Sequence, residues 1–366
     1  MDALFVTVDG GGNLPPALGI AREIVRRGGT ARFLGHEPQR PLIEQAGFDF
    51  TPVRDGRPYD AAAPRGTLSG LRELTAVFAD RGIGADALRL ARAKPTDVVI
   101  VDCLLLAALD TLVRAGLPTV SLVHTLWSFF EGEARGPVGA LLRLRGLRMK
   151  PVLRSPALSL VTVRADFEPP APPGVRHVGP VWQDPPAPAV PAAGAPRVLV
   201  SLSTTRFPGQ DKTLQNILDA MSTLEAEVIV TTGPTIDPAS LRAPGNATVL
   251  RHRDHGEILP TTSLVIGHGG HSTTARALAH GIPVLILPMH PLMDQADIGR
   301  AVERHGAGRM LPRSARADAI RAVAHELLGN GPQRAAAALL GADIRQHDGA
   351  AVAVDLLESS PLKVPT

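Results

Sequence analysis

Cysteine is almost missing from this chain: Cys103 is the only one in 366 residues. An intrachain disulfide is therefore excluded, and a reducing compartment fits. No run of about 18 apolar residues appears, so no transmembrane helix and no stable membrane insertion are expected. The first residues lack the basic segment and cleavage site of a signal peptide, and the expectation is a cytoplasmic protein. Charge of one sign is not in excess either. Lys and Arg number 38 against 35 Asp and Glu, leaving +3, with the two signs interspersed. That is not the footprint of a nucleic-acid binder. Aromatic residues make up only 3%, so a place where they gather stands out.

What is abundant is apolar, at 44% of residues, a core-forming composition. The length points to two domains, because single cores rarely grow past about 250–300 residues. The most informative stretch is 263–308. An apolar strand at Leu264–Ile266 runs into a turn holding Gly267, His268, Gly269 and Gly270, and a helix starts near Ser272 and ends at Gly281. A second strand, Pro283–Leu287, leads to a polar loop ending in Asp294 and Gln295. A glycine-rich turn at a helix N-terminus offers unpaired N–H groups and a favourable dipole to an anion. Ser272, Thr273 and Thr274 add hydroxyls and His268 an imidazole. The glycines alone are also those of an ordinary strand–helix connection capped by Ser272. Together with His268, the hydroxyls and the Asp-Gln pair, they point to a diphosphate clamp beside a polyhydroxylated group.

The rest of the chain alternates strands and helices, which means parallel sheets covered on both faces. In the first half, strands are expected at Leu4–Val8, Ala31–Leu34, Val98–Val101 and Thr119–Val123. Helices are expected after the DGGGNLPP turn (9–16), over Arg40–Ala46, and at 69–80, 83–93 and 105–115. Ligands of open parallel sheets sit at the carboxyl ends of the strands, where Asp9, Asp102 and His124 follow. A Gly/Pro-rich loop at 54–68 has the length of a functional segment. Trp127, Phe129 and Phe130 cluster ahead of arginines 143, 145 and 148. Such aromatics pack on a core or wall a bulky ligand. Pro169–Pro196 reads as an interdomain linker, with a returning strand inside 177–182. The second half repeats the pattern, with strands at Arg197–Leu202, Ala226–Thr231 and Thr248–Leu250. Helices are expected at 211–222, 256–259, 314–328, 332–346 and 350–358. The expected division is 1–185, 186–349 and a C-terminal helix within 350–366 that could cross back to the first domain.

The order and spacing of these motifs resemble the family 1 glycosyltransferases of GT-B fold. The closest group is the bacterial enzymes that glycosylate macrolides and other secondary metabolites. The motifs are SLVIGHGGHSTTARALAHGIPVLILP with DQADIGRAVERHGAG, VGP at 178–180, VSLSTT at 200–205, TTG at 231–233 and VIVDC at 99–103. The resemblance implies two facing Rossmann-like doubly wound domains with a cleft between them. It also implies an inverting transfer of a hexose or deoxyhexose from UDP or dTDP to a hydrophobic aglycone. By position, His268, Gly269, Gly270, Ser272, Thr273 and Thr204 are implied to hold the diphosphate. Asp294 and Gln295 are implied to hold the sugar, and Arg253 to flank the base. Donors fixed at a helix N-terminus would stabilise the leaving diphosphate, so no divalent metal is required. Neither an Asp-x-Asp pair nor zinc-ligand spacing is visible, and no cofactor beyond the nucleotide sugar is expected.

The first domain departs from the family pattern. Where the family has a histidine base three residues before the proline of its N-terminal loop, the sequence reads Gly12, and Asp102 matches the aspartate that orients that histidine. Several accounts stay open. Asp102, then Asp9, acts as base directly or through water; His124 takes the role; or the acceptor needs little deprotonation. The remaining alternatives are a non-catalytic nucleotide-binding helper, a sugar-nucleotide epimerase and a lipid-acceptor transferase on the same scaffold. His271 and His290 are expected near the donor site without a leading role, and His280, His305 and His325 as surface or core residues. Oligomeric state is left open, with a homodimer among the options.

Overall fold

The computed structural model describes residues 1–10, 12–60, 67–190 and 194–360. Parts of three expected segments, the 9–16 turn, the 54–68 loop and the 169–196 linker, lie outside these. The chain divides into two units: Met1–Gln183 with Asp348–Thr366, and Asp184–His347.

Among the described residues the first unit contains seven strands: β1 (Asp2–Val6), β2 (Thr30–Gly35), β3 (Asp49–Pro52), β4 (Val98–Asp102), β5 (Thr119–Val123), β6 (Leu158–Val161) and β7 (Val175–His177). Their order in the sheet is β3-β2-β1-β4-β5-β6-β7, and each recorded pairing is parallel. The returning strand is thus Val175–His177, and beyond it Val178 N still donates to Val161 O of β6 at 2.9 Å. Every residue of β4 and β5 is buried, which is why they read as mostly apolar rather than alternating.

The helix Leu14–Arg26 places Leu14, Leu18, Ala21 and Ile24 on the sheet. The helix Gly349–Ser359 adds Ala350, Ala353, Val354 and Leu357 to the same core. Arg27, paired with Glu23 inside the first helix, reaches Asp355 at 2.6 Å and Glu358 at 3.0 Å on the second. The Glu23 carboxyl is held down to about 2, first by its hydrogen bond to Arg26 and with Arg27 adding to it.

The second unit holds β8 (Arg197–Ser201), β9 (Glu227–Thr231), β10 (Ala247–Leu250), β11 (Thr262–Gly267), β12 (Val284–Ile286) and β13 (Gly308–Met310). Their order is β10-β9-β8-β11-β12-β13, again parallel. A separate core gathers Val198, Val200, Leu218, Val228, Leu264, Ile266, Leu285 and Ile320. The end of the expected linker is pinned to this unit: Ala189 N donates to His280 O and Val190 N to Pro260 O, both at 2.8 Å.

The aromatic cluster resolves largely as core. In the helix Trp127–Glu133, Trp127 and Phe130 are buried and Phe129 is half-buried. Glu168 caps that helix, accepting from the backbone N–H of Trp127 at 3.0 Å and Ser128 at 2.6 Å.

Candidate active site

In both sheets the strand order reverses once, between β1 and β4 in the first unit and between β8 and β11 in the second. In a doubly wound sheet the loops that leave the carboxyl ends at that point part to opposite faces and open a crevice.

In the second unit the loop after β8 carries Thr204, which is exposed. Thr205 N donates to Ser203 Oγ at 2.9 Å, and Gln210 Nε2 donates to Ser203 O at 3.2 Å, so this loop has a set shape. The turn after β11 carries His268, Gly269 and Gly270, and the helix His271–Ala279 begins at once. Gly269 has φ +89°, and a Cβ there would lie 2.6 Å from Gln295 O. Only glycine permits both that backbone and that approach. Gly270 is the N-cap in extended backbone, and no side chain caps the helix. Ser272 is exposed and Thr273 half-buried. The Ser272 cap of an ordinary strand–helix connection is therefore absent, and the helix starts at His271.

His268 leans toward Phe207, with ring centroids 6.3 Å apart, and its Nδ1 is enclosed with no partner among the described residues. Burial pushes the imidazole down to about 4, and the Asp294 charge only partly opposes this. It is neutral near pH 7 and offers one N–H.

The loop after β12 ends at Asp294, the N-cap of the helix Gln295–Arg304. Asp294 Oδ2 lies 2.5 Å from His271 Nε2, so His271 has a positioning part that its place in the sequence did not suggest. Gln295 is buried, and its Oε1 accepts from Met289 N at 2.7 Å and His290 N at 3.1 Å. Its carbonyl thus shapes the loop, and any ligand contact falls to Nε2. Arg253 stands apart: it follows β10, which β9 separates from β8. It is exposed, 3.6 Å from Glu257.

In the first unit Asp102, the last residue of β4, is buried. Its Oδ1 accepts from Leu104 N at 2.9 Å, and its Oδ2 accepts from Asn13 Nδ2. His124, just past β5, presents Nδ1 at 3.8 Å from Asp102 Oδ2 and 3.6 Å from Cys103 Sγ. Burial raises the Asp102 carboxyl, while His124, Leu104 and Asn13 work against the rise. Asp9 is half-buried in the loop after β1.

Asn13 is the residue that sequence reasoning missed. Counting three back from Pro15 gives Gly12, but counting from Pro16 gives Asn13, and it is the Asn13 amide that Asp102 holds. A cavity of about 530 Å³ is lined by His36, Pro52, Arg57, Tyr59 and Glu73 beside β2 and β3. His280 is buried, and His305 Nδ1 lies 2.9 Å from Ala301 O, so both belong to the packing.

This arrangement has known counterparts. Residues 215–358 match the family described as erythromycin biosynthesis protein CIII-like, C-terminal domain. The 4'-demethylrebeccamycin synthase of Lentzea aerocolonigenes is 26% identical over 420 residues, which covers 97% of this chain and 98% of that one. The calicheamicin glycosyltransferase CalG4 superposes with a TM-score of 0.76 at 20% identity, covering 98% of this chain and 97% of its own. The spinosyn rhamnosyltransferase SpnG, solved with thymidine diphosphate and with spinosyn aglycone, gives TM-scores of 0.72 and 0.71. In both it is 22% identical and covers 98% of this chain and all of its own. Fold and relatives define the class: a glycosyltransferase of the GT-B fold. Within it, residues 215–358 are an EryCIII-like C-terminal domain, and the chain resembles the bacterial glycosyltransferases of antibiotic biosynthesis.

Proposed function

We propose that this protein is an inverting, metal-independent transferase that moves a hexose or deoxyhexose from dTDP or UDP to a hydrophobic natural-product aglycone. The observation that carries the reading is the cluster at the β8/β11 reversal: a glycine turn, an uncapped helix N-terminus and a neutral His268. Such donors stabilise the charge that develops on a departing diphosphate without reorganising, so the leaving group needs no divalent ion. Ser272, Thr273 and Thr204 supply hydroxyls to the same group. Asp294, steadied by His271, and Gln295 Nε2 take sugar hydroxyls. A relative solved with thymidine diphosphate supports the donor class, and one solved with an aglycone supports a small-molecule acceptor.

For the acceptor half, His124 is the more exposed member of the Asp102–His124 pair. The acceptor hydroxyl proton passes to His124, and Asp102 stabilises the imidazolium that results. Asp9 is the reserve base in the neighbouring loop. A cytoplasmic setting belongs to this reading, since the single cysteine needs no oxidising compartment.

Calorimetry with dTDP and UDP tests the donor half. Binding of at least one nucleotide is expected, weakened about 10–100-fold in His268→Ala through loss of one diphosphate contact worth about 1.5–3 kcal/mol. Absence of binding by either nucleotide overturns the reading.

A further inference from the structure

We propose that Cys103, His124 and Asp102 form a binding site for a thiophilic divalent cation of the Zn²⁺ type, which blocks transfer when filled. One ligand atom from each, Sγ, Nδ1 and a carboxylate oxygen, lies within 4.8 Å of the others. Sγ to Nδ1 is 3.6 Å and Nδ1 to Oδ2 is 3.8 Å. Tetrahedral zinc, with bonds of about 2.3 Å to sulfur and about 2.0–2.2 Å to nitrogen and oxygen, sets its ligands about 3.3–3.6 Å apart. The two pairs that include His124 Nδ1 already stand near that spacing.

The scaffold is rigid. Asp102 ends β4 and is paired in register with Leu122 of β5, and Cys103 N donates to Leu122 O at 3.0 Å. The Asp102 carboxylate is oriented by Leu104 N and by the Asn13 amide, the kind of outer support that metal ligands require. Charge also balances. The Cys103 thiol loses its proton to solvent as its thiolate bonds the metal, so Cys⁻, Asp⁻ and neutral His cancel a 2+ ion. Cys103 and Asp102 are both buried, and a neutral site suits that surrounding. Three protein ligands leave a fourth position for water. The thiolate favours Zn²⁺ over Mg²⁺ and Ca²⁺, which take oxygen.

No spacing pattern announced the site, because Asp102 and Cys103 are adjacent and His124 comes from the next strand. Filling the site takes His124 and Asp102 out of the proton path; this inhibitory half rests on the base assigned above, while binding does not.

Chelator-treated full-length protein is titrated with Co²⁺. One equivalent should produce a thiolate-to-cobalt charge-transfer band that Zn²⁺ abolishes, and Zn²⁺ should inhibit transfer. Cys103→Ser should lose the band and weaken cation affinity at least about 10-fold. It should also keep its transferase activity and escape Zn²⁺ inhibition; Cys103→Ala serves as a second variant should the serine protein misfold. Absence of the band in the wild-type protein, or Zn²⁺ affinity unchanged in both variants, overturns the site. A band without inhibition overturns the inhibitory half and, with it, the assigned base.

Discussion

Asn13 makes one amide serve three partners. Its Oδ1 accepts from Gly10 N at 2.8 Å, and its Nδ2 donates to Val8 O at 2.6 Å and to Asp102. The residue that shapes the turn after β1 is thus the one that orients the Asp102 carboxylate. An amide cannot take a proton from an acceptor, so on the proposed reading general-base work falls to His124, whose Nδ1 faces the same Asp102 Oδ2 at 3.8 Å. Asp102→Asn is expected to lower kcat by about 10²–10⁴-fold and to leave the nucleotide Kd unchanged, because the donor residues belong to the other unit; steady-state kinetics and calorimetry on one preparation check both. How far single residues were legible follows from the same geometry. Asp102, His124 and His268 follow apolar strands, and a strand end is visible in sequence. Asn13 was hidden by two adjacent prolines that allow two counts. Cys103 was hidden because a ligand set drawn from neighbouring strands has no spacing signature.

At the scale of elements, the donor turn depends on a backbone fit. Gly269 packs its α-carbon against the first residue of the helix Gln295–Arg304, the helix whose Gln295 carbonyl holds the 289–290 loop. Gly269→Ala would push a methyl group against Gln295 O in a backbone that L-residues rarely adopt. A cost of about 1–3 kcal/mol is expected, with nucleotide affinity weakened about 10-fold. Chemical denaturation and calorimetry read the two effects separately, and an unchanged nucleotide Kd would remove the turn from the site.

A second fit joins chain ends in the first unit. The helix Gly349–Ser359 begins where a Cβ on Gly349 would meet Pro180 O at 2.5 Å, and Asp348 caps it through Ala350 N and Ala351 N, each at 3.0 Å. Most long elements with clear periodicity or buried runs were readable to within about three residues, but the helix Gln295–Arg304 was not expected, its start having been read as the end of a polar loop. The short strands β3, β6 and β13 were not. Asp49–Pro52 and Gly308–Met310 have few buried residues, and their strand character comes from the neighbour they pair with rather than from their own pattern.

At the scale of the molecule, among the described residues each unit has a hydrophobic core of its own, and the two share no residue. The described residues include no helix long and apolar enough to cross a membrane. Two cores predict two calorimetric unfolding transitions. A nucleotide bound by the second unit should raise only that unit's transition, by about 2.7 kcal/mol at a concentration 100 times Kd. Deleting residues 349–360 should lower only the other. Differential scanning calorimetry distinguishes this from a single transition that moves as a whole, which would refute independence. The two-unit architecture was legible because the β-α alternation starts again after a proline-rich stretch. The return of the last helix to the first sheet was expected only as an option, since nothing in its own sequence names the surface it covers.

That return has a consequence during synthesis. The first sheet leaves the ribosome before the second, but Ala350, Ala353, Val354 and Leu357 of its core arrive only after the whole second unit has been made. The first unit must wait with the apolar face of the helix Leu14–Arg26 uncovered, while the second, one continuous stretch, can fold as it emerges. The segment that closes the first domain is therefore made after the second unit.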